Sequence, residues 1–80
     1  MNRKTFETEM NRAKTMQRLE PERQDYWMGY QRGLRRAYHG DNFGIEAEHK
    51  LWLSLHSETM DDSRKMRGVG YRDGLKKGGE

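Results

Sequence analysis

Glycine recurs at steps of four in two places along the chain, and this spacing constrains the fold more than any other feature of the sequence. Residues 29–36 read Gly-Tyr-Gln-Arg-Gly-Leu-Arg-Arg, and residues 70–77 read Gly-Tyr-Arg-Asp-Gly-Leu-Lys-Lys. The first phrase sets Gly29, Gly33 and Ala37 four apart, and the second does the same with Gly70, Gly74 and Gly78. Residues four apart share one face of a helix. Each copy then presents a strip almost without side chains, open to close approach by another backbone or an aromatic ring. Two glycines cost a helix about 2 kcal/mol of propensity relative to alanine, so packing has to offset the loss. Gly29, Gly33, Ala37, Gly70 and Gly74 are therefore read as helix contacts, with Tyr30 and Tyr71 sealing a tight crossing. The other reading of the same strips is a surface that accepts a phosphate backbone or a nucleobase at close range.

The rest of the chain fits an all-α architecture, a small bundle of three or four short helices with two glycine-flattened crossing helices. Residues 3–19 read as a polar, accessory N-terminal helix whose thin apolar edge is Phe6 and Met10, joined by Ala13, Met16 or Leu19. Such a helix is expected to dock lightly or fray. Pro21 opens a second helix that runs to about Tyr38, with Glu22 and Asp25 at its positive end. Tyr26, Tyr30, Leu34, Ala37 and Tyr38 form its apolar face, and residues 39–44 supply the stop. A third helix is expected over residues 45–56. A fourth begins at Ser57 or at Asp61 and Asp62, any of which can cap it, and its glycine-rich end is expected to fray after Leu75. Residues 1–80 make one small domain, with 21–77 as its main helical core.

Composition narrows the functions open to such a chain. Of its 80 residues, 31% are hydrophobic and 36% charged, so the core is thin and stability is marginal or completed by a partner. Without cysteine there is neither a disulfide nor a thiolate metal site, which fits a reducing cytoplasm. No apolar run is long enough to span a membrane. His39, His49 and His56 form no metal-binding spacing, and no serine sits in a nucleophile motif. Neither glycine phrase follows a strand with the spacing of a nucleotide-binding loop. No catalytic residue, metal, cofactor or small-molecule substrate is assigned.

Basic groups interleaved with aromatic ones remain. The formal net charge is +3. Arg32, Arg35 and Arg36 form one cluster, and Arg64, Arg67, Arg72, Lys76 and Lys77 form another, with Lys65 among them. Such groups neutralise phosphates, while Tyr30 or Tyr71 would stack on an exposed base. The plain alternative is a solvated surface with Lys and Arg at helix C-termini. A second function of a different class is a helical protein-interaction module, a homodimer or a phage- or plasmid-type inhibitor of a host protein, with Trp27, Tyr38 and Trp52 anchoring the interface. RNA binding predicts that both basic clusters share one face. A protein module predicts an apolar patch around those aromatics.

Gly29, Tyr30, Gln31 and Gly33 resemble the first helix phrase of the ribosome modulation factor family. Gly70, Tyr71, Arg72 and Asp73 resemble that family's later Gly-Trp-Arg-Glu phrase, with tyrosine in place of tryptophan and aspartate in place of glutamate, and Arg64 matches an arginine ahead of it. The likeness covers about residues 26–37 and 64–75. It implies a cytoplasmic, non-catalytic protein that binds ribosomal RNA and ribosomal proteins and regulates translation.

Overall fold

The computed structural model describes residues 1–40, 44–58 and 61–79, with the side chains of 56–58 left aside. Four α-helices account for most of it: α1 (Arg3–Leu19), α2 (Gln24–His39), α3 (Glu46–Glu58) and α4 (Asp62–Gly78), with a short 3-10 turn at Pro21–Arg23. The architecture is all-α, and no strand occurs among the described residues.

Local chemistry sets most of the boundaries. The Asn2 side chain accepts a 2.8 Å hydrogen bond from the Thr5 amide and starts α1. Pro21 disfavours a helical residue before it, so α1 stops at Leu19 and Glu20 leaves helical geometry. Gly40 ends α2 with φ 64°, a conformation that glycine adopts without strain. At α4 the Asp61 carboxylate accepts from the Ser63 and Arg64 amides, at 2.9 and 3.2 Å. The cap is thus Asp61, not Ser57 or Asp62. The segment expected to fray after Leu75 is helical to Gly78. Residues 41–43 of the expected stop, and Thr59 and Met60, lie outside the described residues.

The two glycine helices pack against each other as parallel neighbours. A Cβ on Gly29 would overlap the Arg67 carbonyl, and one on Gly33 the Tyr71 carbonyl. In return, a Cβ on Gly70 would overlap the Tyr26 carbonyl, and one on Gly74 that of Tyr30. Each glycine thus meets the residue three places before its counterpart in the other phrase, and the repeat becomes a pseudo-two-fold crossing. At the C-terminal end a Cβ on Gly78 would come within 2.6 Å of the Ala37 methyl carbon. The glycine hydrogen that replaces Cβ points at the opposing carbonyl oxygen. Such Cα–H···O contacts contribute about 0.5–1 kcal/mol each, close to the ~1 kcal/mol propensity cost of each glycine.

Contacts order the helices as a row, α1–α2–α4–α3. The Cα envelope of 36 × 31 × 17 Å is correspondingly flat. The outer helices run antiparallel to the glycine helix each covers. Phe6, early in α1, stacks on Tyr38, late in α2, at 4.2 Å, while Glu20 accepts a 2.8 Å hydrogen bond from the Trp27 indole. On the other flank α3 lies over Tyr71, with the Trp52 ring 5.5 Å away.

α1 takes a larger part in the core than its polar sequence suggests. Met10 and Ala13 are buried together with Trp27, Tyr30 and Leu34, and Ala13 and Leu34 are fully buried. An alanine at that point of α1 lets the helix sit close on α2, so burial rests on shape more than on apolar content. The expectation of an accessory helix that docks lightly is corrected to one that completes the core.

Candidate nucleic-acid interface

Parallel packing has an electrostatic consequence. In an antiparallel pair the helix dipoles oppose, but in α2 and α4 both N-termini lie at one end and both C-termini at the other. Asp and Glu are favourable near the first and Lys and Arg near the second, each by about 0.3–1 kcal/mol at exposed positions. The chain follows this distribution in part. Glu22, Asp25 and Asp62 line one cavity of about 120 Å³ at the N-terminal end, together with Arg23, and Arg64 and Lys65 lie in the first turn of α4 beside it. Arg36 and His39 belong to the last turn of α2, with Arg35 just before it, and Lys76 and Lys77 to the last turn of α4, near where Ala37 and Gly78 meet. Both basic pairs of the repeated phrase therefore lie toward the same end.

The predicted phosphate-binding residues fall into two groups. Arg32 is ion-paired with Glu48 and its guanidinium lies 5.1 Å from the centre of the Trp52 ring. Arg36 is buried and pairs with Glu46 at 3.1 Å. Arg67 bonds Asp25 at 2.7 Å, holding α4 to α2. These three act first as structural ties. Arg35, Arg64, Arg72 and Lys76 form no ion pair among the described residues, and Arg64, Arg72 and Lys76 are exposed. Lys77 is half-buried, and its charge helps to stabilise the Glu9 carboxylate. Two cations that sequence reasoning left out, Lys14 and Arg18 of α1, are also exposed and form no ion pair among the described residues. Their only sequence signal was positive charge on a polar helix.

Tyr30 and Tyr71 occupy matching positions beneath the outer helices. Tyr30 is 5% exposed; its hydroxyl donates to Glu9 at 2.7 Å and lies 3.4 Å from the Arg12 guanidinium. Tyr71 is 2% exposed and shares a 2.6 Å hydrogen bond with His49 Nδ1. Burial removes both rings from the role of open stacking platforms and makes them anchors for α1 and α3. Burial, reinforced by the bond to Glu9, pushes the Tyr30 hydroxyl up to about 12. Burial and the Asp73 carboxylate, 2.7 Å away, push Tyr26 up to about 12 as well. Tyr71 is raised by burial, with Arg36 and Arg32 pulling the other way. Glu9 is lowered chiefly by its hydrogen bond from Arg12.

The aromatics proposed as protein anchors are also largely engaged. Trp27 is buried, with the guanidinium groups of Arg12 and Arg23 5.4 and 5.6 Å from its ring. Tyr38 is half-buried against Phe6, and Trp52 half-buried against Tyr71. The large exposed apolar residues are instead Leu19, Met28, Ile45 and Leu51. Among the described residues, no cluster of three or more His, Asp or Glu side chains is placed to hold a metal ion. No described helix is long and apolar enough to cross a membrane.

One feature that combines cations unpaired among the described residues with a cavity is the groove between α1 and α2. It has a volume of about 360 Å³, with Phe6 and Met10 as apolar lining and Lys14, Arg35 and His39 around it. Comparison with known proteins adds no relative to this geometry: no family model, curated protein or solved structure matches the chain.

Proposed function

We propose that the protein binds structured RNA, ribosomal RNA foremost, without catalysis, and modulates translation in the cytoplasm through that contact. One observation supports this reading: the parallel crossing sets the C-terminal halves of both phrase helices side by side, and on those halves Arg35, Arg72 and Lys76 have no carboxylate partner among the described residues. Unpaired cations in one region are what a phosphate backbone requires, since neutralising phosphates releases condensed counterions. The resemblance of the two glycine phrases to the ribosome modulation factor family supports the choice of ribosomal RNA and adjacent ribosomal proteins as partners.

Affinity for small ribosomal subunits and for duplex and single-stranded RNA, measured across a salt series, tests the reading. The expected result is a linear fall of log affinity with log salt concentration. Absence of binding at low salt, or binding that ignores salt, would overturn it. A protein-interaction module is the second reading, and it rests on Ile45 and Leu51, which are 67% and 51% exposed at α3. Salt-insensitive self-association or a salt-insensitive protein complex, lost on Leu51→Glu, would favour it.

A further inference from the structure

We propose that the groove between α1 and α2 holds one unstacked nucleotide of a single-stranded RNA segment. This inference rests on the RNA-binding reading and deepens it, because that reading needs only phosphate neutralisation whereas the groove can also take a base.

The groove supplies the types of contact that a nucleotide needs. Lys14 and Arg35 face it from different helices, and neither has an ion-pair partner among the described residues. Two cations from two helices lining one groove can share one phosphate, and arginine can meet it with two parallel N–H donors. Phe6 and Met10 line the interior with apolar surface. Phe6 is held in place by stacking on Tyr38 at an interplanar angle of 8°. The exposed His39 ring stands nearly perpendicular to both, at 78° to Phe6 and 82° to Tyr38. Phe6 and His39, aromatic rings that line the groove beside Lys14 and Arg35, suit a nucleobase, which stacks on aromatic rings with little regard to sequence. Asn11, exposed and without a side-chain hydrogen bond among the described residues, brings an amide donor and acceptor to the same groove and can read a base edge.

The groove's polarity orients the ligand. Glu7, its one carboxylate, is bonded to Arg3 at 3.0 Å. It lies two turns from Lys14 along α1, about 10 Å at 1.5 Å per residue. A phosphate is excluded from the Glu7 end and drawn to Lys14 and Arg35, which leaves the base for Phe6 and His39. The volume of about 360 Å³ lies at the small end of the ~300–1,000 Å³ typical of small-ligand sites. It suits a single nucleotide and not a duplex.

The test titrates the intact protein with a short single-stranded RNA, a duplex of equal length and adenosine monophosphate. Fluorescence anisotropy follows the RNAs and two-dimensional NMR follows the mononucleotide. The single strand is expected to bind more tightly than the duplex. Lys14→Ala and Arg35→Ala, with folding verified by circular dichroism, are each expected to weaken the single strand about tenfold and the duplex less; tenfold corresponds to about 1.4 kcal/mol. Asn11→Ala should change the preference among bases, a readout that general loss of positive charge does not move. Adenosine monophosphate should shift the amides of Asn11, Lys14, Arg35 and His39. RNA binding that is equally weakened for both forms, with no mononucleotide shifts in the groove, overturns the groove proposal and leaves the RNA-binding reading intact. Mononucleotide shifts in the groove without any RNA binding overturn the RNA-binding reading and reassign the groove to a free nucleotide. Mononucleotide affinity equal to that of the single strand likewise overturns the RNA segment as the occupant.

Discussion

A methyl group at Gly29, Gly33, Gly70 or Gly74 would fall on a carbonyl of the opposing helix, and neither backbone can yield without separating α2 from α4. Alanine raises helix propensity by about 1 kcal/mol, yet here overpacking, typically 1–3 kcal/mol and more against rigid backbone, should win. Gly29→Ala and Gly70→Ala are expected to lower stability by about 2 kcal/mol each in urea titrations. Gly79→Ala serves as the control, because its Cβ would meet nothing closer than 3.4 Å and its backbone is ordinary for alanine. At the same scale, pH should destabilise the fold from both sides. Unfolded tyrosine ionises near 10, whereas Tyr26 and Tyr30 hold their protons to about 12. From pH 10 to 12 the unfolded state therefore binds fewer protons and stability falls as pH rises. Glu9 behaves in the opposite sense: its lowered folded value contributes stability above the ordinary carboxylate range, and this is lost as pH drops through that lowered value. Melting temperature followed across pH should fall at both extremes, and Tyr30→Phe should flatten the alkaline limb.

The helices differ in how openly their sequences declared them. α4 is legible in its start, where Asp61, one of the caps the sequence offers, closes the first turn, but not in its end, which is helical to Gly78 where fraying after Leu75 is expected. Asp61→Ala is expected to cost about 1 kcal/mol, measurable as a shift in the denaturation midpoint without a change of slope. α1 was less legible. Its sequence is polar enough to suggest a loose appendage, but one small residue, Ala13, and one flexible one, Met10, are enough to close it over Trp27 and Leu34. Periodicity detects apolar content, and shape fit at a close helix contact leaves little trace in it. Tyr30 and Tyr71 show the same limit. Their repetition suggested a shared role, but whether a tyrosine faces solvent or lies under a neighbouring helix depends on helices distant in sequence.

Across the whole molecule, the direction of α2 relative to α4 governs the charge pattern. Parallel packing brings the C-terminal turns with Arg36, Lys76 and Lys77 to one end, while α3 brings Glu46 and Glu48 back onto Arg36 and Arg32. These glutamates reduce the positive charge available to an anion. Under the RNA-binding reading, Glu46→Gln combined with Glu48→Gln should strengthen RNA binding at low salt. It should also steepen the salt dependence by up to about 1.8 in log–log slope, from ~0.9 per additional phosphate contact. Anisotropy across a salt series reads both effects. Unchanged affinity would mean that Arg32 and Arg36 serve the fold alone.

The sequence by itself determined the helices, most of their ends and the glycine strips that make two of them cross closely, because capping, proline and four-residue spacing act within a few residues of one another. It also determined that the phrases match closely enough to form a pseudo-symmetric contact. Only the tertiary structure decided that the crossing is parallel, that α1 completes the core, and that Arg32, Arg36 and Arg67 are taken up by Glu48, Glu46 and Asp25. Those outcomes depend on distances between residues far apart in the chain, and a charge counted in the sequence has no partner until folding supplies one.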